Sequence, residues 1–153
     1  MLNLLKNENV NNNTLEKRYI QNDIDTLIEC FKKCKNYESK KEARKKLLLY
    51  KLKELSLKTK NSDILKVQKI LDKNCDEETL KKILIYLNRL RVFNSIDSLI
   101  DVKIYKALLY ELLDIDIGAT TEYKEAIKLK DSKEIFEQYH DFIERTINMN
   151  SSK

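Results

Sequence analysis

The chain contains one glycine and no proline among its 153 residues, and this constrains the fold more than any other feature. Strand-rich folds turn tightly by means of Gly, Asn-Gly and Pro, and loops that cradle phosphate groups need several glycines. A chain rich in Leu, Lys, Glu and Ile that almost lacks Gly and Pro is typical of helices. The sequence therefore predicts an all-α protein.

Apolar residues recur every three or four positions over most of the chain. This spacing predicts about seven helices, packed as a compact bundle or a stacked helical array. Residues 1–13 are rich in Asn, and we expect a disordered N-terminal tail there. Residues 14–149 show no change of composition that would mark a second domain, so they are expected to form a single helical domain, with 150–153 as a tail.

Capping residues divide the first half of this domain into three helices. The first helix is expected at Leu15–Lys35, and a capping box at Ser39–Glu42 is expected to open the second. Asn61 or the serine after it is the expected N-cap of the third helix, and Asn74 its expected end. The positions of the third helix expected to face inward are Ile64, Val67, Ile70 and Leu71.

The stretch Asp76–Leu113 is the most apolar part of the chain and organises the rest. Asp76 is the expected N-cap of a helix, because a short carboxylate accepts hydrogen bonds from the first backbone N–H groups. The apolar face of this helix comprises Leu80, Ile83, Leu84, Leu87 and Leu90. Ile85 and Tyr86 leave almost no polar face, so we expect the helix to be covered from more than one side.

Three further features shape the second half. A break is expected at 91–95, followed by a short helical turn, after which Asp101 is expected to cap a new helix. Gly118 is the only glycine, and we expect it to adopt a positive backbone angle in a loop. Thr120 or Thr121 is expected to cap the helix that follows.

Charge is distributed unevenly along the sequence. Residues 32–60 contain 12 Lys/Arg against 3 Glu, a net of +9, whereas residues 95–147 contain 7 Lys/Arg against 12 Asp/Glu, a net of −5. The basic segment suits nucleic acid or an acidic peptide. A solvated helix face is the alternative, since only 5 of the 30 basic residues are Arg, the better reader of phosphate. The candidate nucleic-acid-binding residues are Lys40, Lys41, Arg44, Lys45 and Lys46.

No catalytic or metal-binding pattern is evident. Cys30, Cys34 and Cys75 are expected to be free thiols; the first two are one helical turn apart, but they have no second pair to complete a zinc site. The single histidine, His140, has no nucleophile beside it in the sequence. We therefore predict no enzyme activity, no cofactor and no metal. No apolar run is long enough for a membrane span, so an intracellular protein without membrane contact is expected.

The residues from Leu80 onward resemble a known family, the N-terminal helical domain of transcription elongation factor S and the integrase-binding domains of the LEDGF type. The shared pattern is a leucine-rich helix, a break, a short leucine-bearing turn, a further helix and a charged segment before the closing helix. The matching pieces are Leu80–Leu90, Leu90–Val92, Leu99, Ile104–Lys106 and Lys130–Ile135. Arg91 stands where the family carries Pro, and Tyr105 where it carries Gly.

The resemblance implies a non-enzymatic protein-interaction module in a transcription or chromatin complex, consistent with a nuclear location. Family members dock short, disordered peptides that are acidic and aromatic. The peptide contacts that the resemblance implies are Arg89, Arg91, Phe93, Asn94, Lys103 and Lys106. Basic side chains around an aromatic residue at a helix break suit such a peptide. The alternative function is a nucleic-acid-binding or accessory subunit that uses the basic segment, and a viral or parasite mimic of a host regulator would share the features of the first interpretation.

Overall fold

A computed structural model describes the backbone of residues 9–151 and the side chains of residues 20–151. Within that part of the chain there are seven helices and no strands, so the predicted all-α class is confirmed. The helices are α1 (Asn9–Lys33), α2 (Tyr37–Lys58), α3 (Ser62–Lys73), α4 (Glu77–Asn88), α5 (Ile96–Leu112), α6 (Asp116–Leu129) and α7 (Lys133–Asn150). Residues 9–13 of the predicted N-terminal tail belong to α1, and residues 1–8 lie outside the described residues.

Helix α5 is the centre of the fold. It packs most extensively on α6 and also contacts α2 and α4. Ten of its seventeen residues are buried, including Tyr105 and Glu111, which are 0 % exposed. Such burial on all sides is what a helix without a continuous polar face requires. The main core around α5 draws on helices α2 to α7, and α1 adds a smaller cluster in which Ile20 and Ile24 meet Leu47 of α2.

Helix α4 is covered from two sides, as predicted, but its outer face is open to solvent. Leu80, Ile83, Leu84 and Leu87 are buried as expected, but Ile85 is 51 % exposed. Helix α4 contacts α3 and α5, which leaves the side that carries Ile85 open to solvent. Ile70, predicted to face inward, is likewise 49 % exposed. The helix that other helices cover on all sides is therefore α5 and not α4.

The N-caps predicted at Asp76 and Asn61 are confirmed, and the capping box predicted at Ser39 is wrong. The Asp76 carboxylate accepts a hydrogen bond from the Thr79 N–H at 2.8 Å, and the Asn61 side chain accepts from the Ile64 N–H at 3.0 Å. Helix α2, however, begins before the predicted capping box at Ser39. Asn36 is its N-cap and accepts from the Ser39 N–H at 3.1 Å, because Asn caps a helix at least as well as Ser.

The break predicted at 91–95 is confirmed, but no new helix begins at Asp101. Helix α5 begins at Ile96 with Ser95 as its N-cap, and it continues through Asp101. The Asp101 carboxylate accepts a hydrogen bond from the Thr59 hydroxyl at 2.8 Å instead of capping a helix. This contact joins α5 to the end of α2, and the two residues are 42 positions apart in the sequence.

The positive backbone angle predicted for Gly118 lies at Asp114, with φ of 59°. Asp tolerates the left-handed region better than most residues because its short side chain can bond locally. Gly118 lies inside α6, which begins at Asp116, so neither Thr120 nor Thr121 is a cap. The glycine is required for another reason: a Cβ there would lie 2.6 Å from Cδ1 of Tyr110, so the ring of α5 packs directly on the α6 backbone.

Candidate functional site

The link between α4 and α5 brings cationic and apolar side chains together on the surface. Arg89 and Asn94 are exposed, and Val92 between them is 85 % exposed. The Arg91 guanidinium is exposed and donates to the carbonyls of Asn88 at 2.8 Å and Leu90 at 3.0 Å, which satisfies acceptors at the end of α4. We call the exposed set Arg89, Arg91, Val92, Asn94 and Ile96 the junction patch.

Phe93 occupies the position that the resemblance assigns to a peptide contact, but it is half-buried. Its side chain packs against the main core cluster, so it anchors the link as well as bordering the junction patch. Val92 and Ile96 are the apolar side chains that protrude most from this region. The sequence places Ile96 on the same helical turn as Leu99 and Ile100, and it places Val92 in the break, where the direction of a side chain follows no helical or strand period.

The two lysines of α5 that were predicted to contact a peptide pair with glutamates of α6 instead. The Lys103 ammonium donates to Glu125 at 2.6 Å. Lys106 is 9 % exposed, and its ammonium lies 3.2 Å from Glu122 Oε1 and 3.1 Å from Asn88 Oδ1. The structure thus brings Lys106 to the end of α4. The ammonium groups of both Lys103 and Lys106, however, pair with carboxylates of α6.

These ion pairs shift the two carboxylates in opposite directions. Burial raises the pKa of Glu122, and the neighbouring Lys106 ammonium opposes that effect. The hydrogen bond from Lys103 lowers the pKa of Glu125, which is more exposed than Glu122. Withdrawing Lys106 to meet a partner would leave the buried Glu122 without its cation, so this ammonium is not readily available for binding. Glu125 is half-exposed, so water can replace Lys103 there at a smaller cost.

A second surface feature, which the sequence analysis missed, is an apolar groove of about 250 Å³ between α3 and α4. We call it the α3–α4 groove. Its lining side chains are Val67, Ile70, Thr79, Ile83 and Tyr86, with Lys66 and Lys82 at the rims. The spacing of Thr79, Ile83 and Tyr86 along α4 places them on one face, and this was the signal available in the sequence.

Tyr86 is held firmly in the wall of this groove. Its hydroxyl donates to the Asp63 carboxylate at 2.5 Å, and that hydrogen bond raises the pKa of Tyr86. The Lys66 ammonium lies 5.3 Å from the centre of the ring, within the range of a cation–π contact. The aromatic wall is therefore fixed before any ligand arrives.

The candidate nucleic-acid-binding residues of α2 do not share one surface. Lys40 is 6 % exposed, with its ammonium 3.3 Å from Asn148 Oδ1 and 5.9 Å from the centre of the Phe31 ring. Arg44 is also 6 % exposed and pairs with Asp114. The exposed residues are Lys41, Lys45 and Lys46. Lys41 and Lys45 are one turn apart on the same face, whereas Lys46 projects about 100° away from Lys45.

The single histidine and the three cysteines are side chains whose chemistry suits proton transfer, nucleophilic attack or metal binding. His140 is exposed, and its Nε2 lies 3.5 Å from Glu144 in an i,i+4 pair. A cleft of about 390 Å³ beside it, between α1, α2 and α7, contains Lys51, whose pKa is lowered by burial. Across residues 20–151, no group of three His, Cys, Asp or Glu is placed to hold a metal ion. The cysteines Cys30, Cys34 and Cys75 are free thiols, as predicted.

No helix in the described part of the chain is both long and apolar enough to cross a membrane. Comparison with family models, with curated proteins and with solved structures finds no match to this chain.

Proposed function

We propose that this protein is a non-enzymatic interaction module that docks a short linear peptide at the junction patch. The observation that carries the proposal is the 85 % exposure of Val92 beside the exposed guanidinium of Arg91. A peptide with an apolar side chain and a carboxylate would bury Val92 and pair with Arg91 or Arg89 at the same time. Arg is also the cation best suited to bidentate pairing with a carboxylate.

The proposed partner class is a disordered segment of a transcription or chromatin protein. This part of the proposal is supported by the resemblance of Leu80–Leu90 and the segments after it to the elongation-factor and integrase-binding domains. Those domains bind acidic and aromatic peptides near helix junctions. The nuclear location proposed for the protein has the same support.

The test uses affinity capture from an extract of the source organism with the wild-type chain and with Val92→Asp. We expect Val92→Asp to lose proteins that the wild type retains after nuclease treatment and at high salt. Ile85→Asp is the matched control, because Ile85 is also an exposed apolar residue but lies on the outer face of α4. Equal recovery by wild type and Val92→Asp would contradict the junction patch as the site.

The alternative function, binding of nucleic acid, is favoured by the exposure of Lys41, Lys45 and Lys46 on α2. It predicts binding of a labelled oligonucleotide that weakens steeply as salt rises. Replacing the three lysines by Gln would then weaken binding for every sequence and reduce the salt dependence. If the oligonucleotide binds no more weakly to the triple variant, this alternative fails.

A further inference from the structure

We propose that the α3–α4 groove is a second docking site, distinct from the junction patch, for an acidic peptide that inserts one or two bulky apolar side chains. The occupant is a segment of a partner protein with Leu-, Ile- or Phe-like anchors and Asp or Glu beside them. The proposal stands on the groove itself, so it holds or fails separately from the function proposed for the junction patch.

The volume of the groove suits single side chains of a peptide better than a drug-sized molecule or a cofactor. Its volume of about 250 Å³ exceeds the roughly 150 Å³ of an apolar cavity known to accept benzene, so an aromatic or branched side chain fits. Pockets for drug-sized molecules and cofactors hold about 300–1,000 Å³, which is more than this groove offers. Along α4 the lining residues run from Thr79 to Tyr86, about two helical turns, so a peptide with anchors one helical turn apart fits along the groove.

The walls of the groove have apolar surface to bury. Ile70 is 49 % exposed on the α3 side, while Val67 and Ile83 form a buried floor with exposures of 2 % and 3 %. The ring of Tyr86 closes the α4 side and is held by its hydrogen bond to Asp63. Because this ring is already fixed, binding an apolar anchor costs little further ordering of the protein.

The charged side chains at the groove indicate the charge of the peptide that would bind there. Its lining residues include two cations, Lys66 and Lys82, and no carboxylate. Lys82 has an i,i+4 contact with Glu78 at 3.4 Å, but both side chains are about three-quarters exposed, so the pair is weak and the lysine can turn to a ligand. Acidic peptides are thus attracted and basic ones repelled.

The experiment selects a phage-displayed library of random linear peptides against the full chain and then measures binding of the enriched peptides as synthetic probes. We expect peptides with two bulky apolar residues and several Asp or Glu. Ile70→Asp should weaken their binding at least about tenfold. Ile85→Asp, which alters an equally exposed isoleucine outside the groove, should bind as wild type, and so should Val92→Asp of the junction patch.

A second pair of variants guards against a folding defect in Ile70→Asp. Lys82→Glu should weaken binding by reversing a rim charge, whereas Lys81→Glu should not, because Lys81 is a similarly exposed lysine that does not line the groove. The groove proposal is overturned if no peptide or only basic peptides are enriched, or if Lys82→Glu and Lys81→Glu behave alike. Peptides lost in Val92→Asp but retained in Ile70→Asp would overturn it too, while supporting the junction patch.

Discussion

The two sides of α5 are held in different ways. On the side of α6 and α7, charged groups are buried in pairs: Arg145 forms two hydrogen bonds to Glu111 at 2.8 and 2.9 Å, and Lys106 lies against Glu122. On the side of α3 and α4, buried hydrogen bonds join uncharged groups: the Tyr105 hydroxyl donates to Gln68 Oε1 at 2.7 Å, and the Asn61 amide donates to the Ser98 hydroxyl at 2.6 Å. There, Ile70, Ile85 and Val92 are left on the surface beside exposed cations.

This difference shows which charges are available to a partner. A cation paired inside the fold has exchanged water for a carboxylate, and releasing it would leave that carboxylate buried and unpaired. Lys106 has such a role although the sequence marks it as a binding residue. Arg44, which the sequence also marks, is itself buried and pairs with the exposed Asp114. Arg89 and Arg91 are exposed, and docking would not require a buried pair to break.

The strongest way to test the buried side is Arg145→Met. Glu111 is 0 % exposed, so removing its partner leaves an uncompensated carboxylate in the core. We expect a loss of about 3–5 kcal/mol in the free energy of unfolding, measured by urea denaturation. Arg91→Met, the same substitution at an exposed arginine, should cost about 1 kcal/mol or less.

A double variant distinguishes the lost charge pair from lost packing. Arg145→Met combined with Glu111→Leu should recover most of the stability, since apolar residues of similar volume replace buried pairs well. If the double variant is no more stable than Arg145→Met alone, the loss comes from packing around α7 rather than from the stranded carboxylate.

The next largest effect is expected at the α5–α6 contact. Gly118→Ala places a Cβ 2.6–2.9 Å from ring atoms of Tyr110. The ring has to shift, and we expect a net destabilisation of about 1–3 kcal/mol despite the better helix propensity of Ala. Adding Tyr110→Leu should remove the penalty of Gly118→Ala in a thermal or urea series. Unchanged or increased stability of the single variant would mean that the ring moves freely.

On the α3–α4 side, the stability lost on substitution should depend on how deeply the substituted residue lies in the groove. Ile70→Asp is expected to cost about 1 kcal/mol or less, because the side chain is half-exposed. Val67→Asp is expected to cost about 3 kcal/mol or more, since Val67 is 2 % exposed and a carboxylate there would be desolvated. Equal losses in the urea series would show that Ile70 is a structural residue and not a rim of an open groove.

The smallest effects concern pH, where two neighbouring glutamates should have opposite signs. The pKa of Glu122 is raised by burial, so its contribution to stability is complete below its ordinary value of 4.5 and is lost as pH rises through the folded pKa. The pKa of Glu125 is lowered by Lys103, so its contribution is present above 4.5 and is lost as pH falls through the folded pKa.

Glu122→Gln and Glu125→Gln separate these contributions. Between about pH 4 and pH 7, the stability advantage of the wild type over Glu122→Gln should shrink as pH rises. Its advantage over Glu125→Gln should grow as pH rises from acid conditions. Urea unfolding at a series of pH values measures both. Slopes of the same sign would contradict either burial as the main influence on the pKa of Glu122 or the Lys103 hydrogen bond as the main influence on that of Glu125.

Local signals in the sequence were most reliable where one residue acts on its own backbone. Asp76 and Asn61 cap their helices because each side chain needs only the N–H groups that follow it. The same logic failed at Asp101, whose carboxylate accepts from Thr59 on another helix. A side chain that can cap a helix does so only where its oxygen does not accept a hydrogen bond from another part of the fold instead.

The candidate sites were harder to predict for the same reason. The helix break after Leu90 was visible in the sequence, and with it the exposed Arg89 and Arg91. The α3–α4 groove was not, because it requires knowledge of which faces of two helices meet and how far apart they stay. Spacing placed Ile70 on the apolar side of α3 but could not show that its outer half lacks a covering helix.

By itself, the sequence determined that this protein is all-helical, because one glycine and no proline rule out the alternatives. It also determined where several helices begin. Only the tertiary structure decided which charged side chains form ion pairs inside the protein and which remain exposed to solvent. The reason is distance along the chain: Arg44 meets Asp114 across 70 residues and Arg145 meets Glu111 across 34, and no local pattern specifies such a pairing.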